Sequence, residues 1–220
     1  MSVSQDLARA QQIMDVYLAD LRTIVNVDSG TYTPEGIKQV GVHLAGRFQE
    51  WGFATRFEKQ EGYGDHLLAT RQGSRPDGPR LLLIGHLDTV FPDGEVARRP
   101  FALGERAVMR VATGPGVLDM KSGVLIGMYA LHLLQEAGED TYQSVTFLCN
   151  SDEEIGSPSS KPLIQQLAGQ HDAVLVFEPG RKEHTVVSAR KGCGRYKIEV
   201  WGRAAHAGVE PHLGRSAILE

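Results

Sequence analysis

Apolar positions recur at helical spacing near the start of the chain: Leu7, Met14, Leu18, Leu21 and Val25 share one face of a stretch that runs from Ser4, its N-cap, to Val27. A second helix is predicted to begin after Thr33, with Pro34 at its first position, where a missing N–H costs nothing, and to end near Trp51 and Gly52. Gly36, Gly41 and Gly46 interrupt it and are expected where the helix packs closely on a sheet. Short strands follow at residues 54–57, 66–70 and 80–85, the last two separated by a polar turn at 73–79. Residues 86–115 are too rich in Gly, Pro and charge for one element. A third helix is predicted at 120–137, closed by Gly138 at its C′ position, then a strand at 144–150, a helix at 158–167 and a strand at 173–177.

Apolar runs alternating with helices imply an α/β sandwich whose core sheet is largely parallel. The tail differs in character: residues 185–189 and 196–200 read as strands of a second unit, with Tyr196, Ile198 and Val200 on one face. Residues 216–219 begin to look helical just before the last residue, and a truncated sequence is the expectation.

Composition narrows the class. Of 220 residues, 41% are hydrophobic and 23% charged, which excludes disordered and collagen-like chains. A net charge of -4, with Lys and Arg scattered, gives no footprint for nucleic acid. The two cysteines, Cys149 and Cys193, form no CxxC and read as small buried hydrophobes. No basic segment followed by an apolar one opens the chain and no long apolar run is evident, so a cytoplasmic protein with no membrane partner is expected.

Three apolar strands run into polar groups able to bind metal. Residues 81–85 deliver His86 and then Asp88, residues 145–149 deliver Asp152, Glu153 and Glu154, and residues 173–177 deliver Glu178. Ligands of open α/β sheets bind at the carboxyl ends of the strands, so these side chains can converge. Asp119 follows the Gly/Pro-rich approach Gly114-Pro115-Gly116-Val117-Leu118 and opens the third helix, where an anion is favoured. One His with several carboxylates suits zinc, cobalt or manganese, and the surplus of carboxylates suits two ions. On spacing alone, solvated acidic runs and a helix-capping Asp119 remain open beside a metal site.

The segments Gly85-His86-Leu87-Asp88-Thr89-Val90, Gly114-Pro115-Gly116-Val117-Leu118-Asp119-Met120-Lys121-Ser122-Gly123 and Asp152-Glu153-Glu154-Ile155-Gly156-Ser157 resemble, in order, the motifs of a metallopeptidase family. It is the family of aminoacylase, acetylornithine deacetylase, succinyl-diaminopimelate desuccinylase and glutamate carboxypeptidase. Gly202-Arg203-Ala204-Ala205-His206-Ala207-Gly208 resembles the start of its lid or dimerisation domain.

The resemblance implies a three-layer α/β sandwich with a mixed sheet over residues 1–190, and the start of an α+β lid over 191–220. It implies two zinc ions, with His86 and Glu178 on one, Glu154 on the other and Asp119 bridging. Asp88 would orient His86, and a cis peptide would follow Asp119. Glu153 would take a proton from water and return it to the leaving amine, and His206 would stabilise the oxyanion in the partner subunit of a homodimer. A further metal-binding His is expected beyond residue 220, since His43, His66, His132, His171, His184 and His212 do not match that part of the pattern.

Phe177-Glu178-Pro179-Gly180 looks most like the glutamate carboxypeptidase branch, implying a peptide substrate and release of a C-terminal glutamate-like residue. Deacylation of an N-acyl amino acid is the alternative, and a non-catalytic metal-binding or dimerisation module is a reading from another class.

Overall fold

Residues 3–180, 185–192, 194 and 196–219 are described by the computed structural model. They fall in two compact units, Met1–Pro179 and Gly180–Glu220. The first carries the strands β1 (Ala54–Glu58), β2 (His66–Gln72), β3 (Arg80–His86), β4 (Ala102–Arg106), β5 (Met109–Thr113), β6 (Ser144–Asn150) and β7 (Ala173–Val176). Its helices are α1 (Val3–Gln12), α2 (Met14–Val25), α3 (Pro34–Glu50), α4 (Glu95–Arg98), α5 (Ser122–Glu136) and α6 (Lys161–Ala168).

The main sheet has the order β1-β2-β6-β3-β7. β3 runs parallel to both β6 and β7, whereas β2 joins β6 antiparallel and β1 joins β2 antiparallel. Successive side chains of a strand point to opposite faces, and the two sets meet different helices. Leu67, Ala69, Leu83, Val145, Phe147 and Cys149 pack against residues of α2, α3 and α5, including Ile24, Leu44, Phe48 and Val124. Leu68, Leu82, Ile84 and Leu148 pack against Leu163, Ile164 and Leu167 of α6. The result is the expected three-layer sandwich.

Close approach of α5 to the sheet depends on glycine. A Cβ on Gly123 would lie 2.1 Å from the Phe177 carbonyl oxygen, and one on Gly127 2.9 Å from the Phe147 ring. In α3, Gly41 abuts Phe57 of β1 and Gly36 abuts the Asp28 backbone, but Gly46 faces open space. Residues 117–136 are apolar and long enough to cross a membrane by composition. Here Val124, Leu125, Met128 and Leu131 of that stretch are core residues instead.

Several elements differ from the expected ones. The first helix is interrupted at Ile13, and Leu7 and Met14 are exposed while Leu21, Ile24 and Val25 are buried, so its second half supplies the core residues. The third helix starts two residues late because Asp119 (φ -119°, ψ 100°) and Met120 are not helical. The α6 helix starts at Lys161 because the Ser159 and Ser160 amides donate to the Asp152 carboxylate. The irregular stretch at 86–115 hides α4 and the β4–β5 hairpin, paired from Ala102↔Thr113 to Arg106↔Met109. Cys149 is buried, and burial pushes its thiol pKa up.

In the second unit the strands expected at 185–189 and 196–200 do not form. Tyr196, Ile198 and Val200 are exposed, and no ladder reaches them among the described residues, so their alternation has no partner to bury it. An antiparallel bridge joins Arg203 and Arg215, and Pro211–Leu213 forms a short helical turn. His184 and Cys193 lie outside the described residues.

Candidate metal centre

His86 is the last residue of β3, so the sheet itself sets the direction of its side chain. The imidazole is 1% exposed. Its Nδ1 lies 2.9 Å from the Asp88 backbone carbonyl and 3.4 Å from the Asp88 carboxylate. A proton on Nδ1 therefore donates to Asp88, and Nε2 faces the opening of the site. Around Nε2 stand carboxylate oxygens of Asp119 at 3.1 Å, Glu178 at 3.6 Å and Glu153 at 3.9 Å.

The carboxylates arrive from three separate segments of the chain. Asp119 sits in the irregular turn Val117–Lys121 that leads into α5, and the Asp119–Met120 peptide is cis, as the resemblance implied. Glu153 and Glu154 lie on a single helical turn, Glu153–Ile155, just after β6. Glu178 follows β7 by two residues, and the Phe177 amide continues the pairing by donating to the Ile84 carbonyl. Two overlapping groups result, His86–Glu153–Glu178 and His86–Asp119–Glu154, each with ligand atoms within 4.8 Å of one another.

Exposure rises from floor to rim. Asp88 is fully buried, whereas the Asp119, Glu153 and Glu178 side chains are 56%, 45% and 30% exposed. Such crowding of like charge shows in the proton affinities. Burial, with the nearby Asp119, Asp88 and Glu153, pushes Glu154 up to about 7, although His86 opposes the shift. Burial likewise raises Glu178, with Asp119 and Glu153 adding to it. Burial alone would lower His86, but Asp88, Glu178 and Glu153 outweigh it and hold the ring at about 9. A basin of four carboxylates around one imidazole, strained in this way, is the donor set that a divalent cation relieves.

Asp88 does more than face the histidine. Its two carboxylate oxygens accept the backbone amides of Glu153 (3.1 Å) and Glu154 (3.2 Å), and the Thr31 hydroxyl donates to it at 2.7 Å. Asp88 thus ties the β3 end to the Glu153–Glu154 turn. Thr31 carried no sequence signal, since its partner lies 57 residues away. Asp152, read only as part of an acidic run, is buried and accepts from Asn150, Ser159 and Ser160, which fixes the far side of the same loop. Lys121 is also buried, and its ammonium donates to the Ile24 and Val27 carbonyls. Burial lowers its pKa to about 8.

His206 belongs to the second unit. Its Nδ1 accepts the Gly208 and Val209 amides at 3.2 and 3.1 Å, which leaves its proton on Nε2.

A three-layer sandwich with His and carboxylates converging at the carboxyl ends of parallel strands defines a class of metal-binding α/β proteins. Residues 82–218 match the model of peptidase family M20/M25/M40, and the chain belongs to that family. Carboxypeptidase G2 of Pseudomonas sp. (strain RS-16) is 36% identical over 204 residues, 91% of this chain and 48% of that protein. Succinyl-diaminopimelate desuccinylase of Leptothrix cholodnii is 32% identical over 164 residues, 70% of this chain and 42% of that protein. The chain thus spans about half the length of these relatives or less. Aminopeptidase PepT from Bacillus cereus shares the fold, with a TM-score of 0.67 at 19% identity over 92% of this chain and 53% of that one.

Proposed function

We propose that this chain forms the metal-binding catalytic part of a carboxypeptidase, which hydrolyses an amide bond to release a C-terminal, glutamate-like amino acid. The observation that carries the reading is the convergence of Asp119, Glu153, Glu154 and Glu178 on His86 Nε2. The similarity to Carboxypeptidase G2 supports the choice of bond. Similarity to a desuccinylase supports a second reading, deacylation of an N-acyl amino acid by the same residues.

In this reading His86 and Glu178 would hold one divalent ion and Glu154 the other, with Asp119 serving both. Zinc fits the mixed donor set, with cobalt and manganese as substitutes. When bound, the ions acidify water and polarise the amide carbonyl. Glu153, half-exposed and 3.9 Å from His86 Nε2, takes the proton from water and returns it to the leaving amine. Asp88 holds the backbone under Glu153 and Glu154 so that both carboxylates keep their places. His206 donates from Nε2 to the substrate oxygen in the partner subunit of a homodimer built through residues 191–220, in a cytoplasmic enzyme.

Metal content per chain, measured by elemental mass spectrometry after dialysis against trace zinc, tests the site. Zinc retention that disappears in His86→Ala and Asp119→Ala but persists in Glu153→Gln is the expected result. Retention unchanged by Asp119→Ala would remove it from the shared position, and zinc held by the wild-type chain equally well after replacement of His86 and of Glu178 would sink the metal reading.

A further inference from the structure

Besides His86, His66 is the only buried histidine among the described residues, and neither metal binding nor proton transfer uses it. It opens β2 where β6 ends, because the two strands run antiparallel with Leu67 opposite Cys149. The loop that carries Glu153 and Glu154 therefore starts beside the imidazole. Burying such a ring is costly unless its nitrogens find partners.

Both nitrogens find them in that loop, one at each end of it. The Ser151 amide donates to Nδ1 at 3.3 Å, and the Ser151 hydroxyl lies 2.9 Å from the same nitrogen and donates to the Gly64 carbonyl. An accepting Nδ1 leaves the ring proton on Nε2. From there it donates to the Ser159 hydroxyl at 3.3 Å, whose own hydrogen goes to the Asp152 carboxylate at 2.8 Å. Burial lowers the His66 pKa, with Asp152, Asp65 and Asp88 opposing, which suits a neutral ring. Asp152 belongs to the loop itself, so its bonds to Ser159 and Ser160 give the loop its shape without fixing where it sits. His66 reaches the loop from another strand, as Asp88 does from the end of β3.

We propose that His66 is a positioning residue: by clasping Ser151 and Ser159 it places the turn between them, and with it the Glu153 and Glu154 carboxylates. The inference deepens the hydrolase reading and rests on it for the roles of those two carboxylates.

Amide hydrogen exchange in the metal-free chain reads the placement of the turn without zinc or turnover. The readout is the change at Glu153 and Glu154 in excess of that at Val145 and Phe147 of β6, which report opening of the whole sheet. His66→Leu should give an excess of about tenfold, the effect of one or two lost hydrogen bonds. Ser159→Ala leaves the imidazole in place and should give a smaller excess of the same kind. His66→Asn, whose side-chain oxygen can accept where Nδ1 did, should recover part of the protection. In the zinc-loaded chain, His66→Leu should weaken zinc about tenfold and shift the visible spectrum of bound cobalt(II), since a displaced Glu154 alters the ligand set. No excess in either His66→Leu or Ser159→Ala would overturn the proposal, as would His66→Asn behaving no better than His66→Leu. Faster exchange with an unchanged zinc affinity and cobalt spectrum would overturn it as well, because the carboxylates would then keep their places without His66. Failure of the metal reading would show elsewhere, in a wild-type chain that holds zinc equally well after His86 and Glu178 are replaced.

Discussion

Proton and metal compete for the same atoms at His86 and Glu154. With the imidazole at about 9 and Glu154 at about 7, the metal-free site carries protons at neutral pH. A cation must displace them, so zinc affinity should rise with pH through this range and binding should release protons. Calorimetry in buffers of different ionisation enthalpy reads that release directly. The expected result is more protons released at pH 6 than at pH 8, because Glu154 adds its own below about 7. Equal release at both would contradict the crowding of carboxylates. In a protein of its relatives' full length, Glu153→Gln should leave zinc bound yet remove most turnover, on the order of a hundredfold or more for a lost acid–base group. Full activity in that variant would reassign the proton. The residues of this basin were legible in the sequence because each follows an apolar strand or a Gly-rich turn within a matching motif. Thr31 was not legible, since a hydroxyl that buttresses a carboxylate 57 residues away leaves no local pattern.

Elements hold these residues through a few close contacts. Asp88 is the tie between β3 and the turn after β6, so Asp88→Ala would strand the Glu153 and Glu154 amides and the Thr31 hydroxyl. The Thr31 hydroxyl is buried and the two amides only partly so, and a loss of roughly 1–3 kcal/mol is expected. Faster hydrogen exchange at those two amides is the local signature to look for. The glycines of the helices offer a contrast. Gly123→Ala sets a methyl 2.1 Å from the Phe177 carbonyl, beside Glu178, and should cost about 1–3 kcal/mol and reduce zinc retention. Gly46→Ala meets nothing within 4 Å and should stabilise the α3 helix by about 0.5–1 kcal/mol. Thermal denaturation of the two variants tests both signs. Buried strands were readable because their apolar runs are continuous or alternate against helices. The β4–β5 hairpin was not, since β4 is exposed along its whole length and its turn uses Ala107 at φ 55° rather than glycine. The opposite error arose at residues 196–200, where alternation was present and a pairing strand was not, among the described residues.

The α/β sandwich was implied by alternating strands and helices and its three layers by the family resemblance, but what locks the helical layer was implied by neither. One buried carboxylate joins three helices. Asp20 of α2 accepts from the Arg47 guanidinium and from His43 of α3, at 2.9 and 3.1 Å, and from the Tyr129 hydroxyl of α5 at 2.6 Å. Burial works against its ionisation, but these hydrogen bonds and the Arg47 charge win and hold the carboxyl well below the usual carboxylate range. The sign follows from linkage: a group depressed in the folded state contributes stability above its unfolded pKa, about 3.8, and loses it as pH falls through the folded value. Asp20→Asn keeps the shape but removes that charge, so wild type should be the more stable protein at pH 7. Removing one partner of a buried, hydrogen-bonded ion pair typically costs about 3–5 kcal/mol. Arg47 remains partly exposed, at 29%, and can recover water, so the lower end of that range is expected. The gap between wild type and variant should then narrow as pH falls below 3.8, because the unfolded-state carboxylate binds a proton there while the native one stays ionised, and the amide binds none in either state. Comparing the two proteins cancels the titrating groups that do not touch Asp20, including the metal site. Chemical denaturation of the pair at pH 7 and pH 3 measures the difference, and a gap independent of pH would show that Asp20 locks the helices by shape rather than by charge.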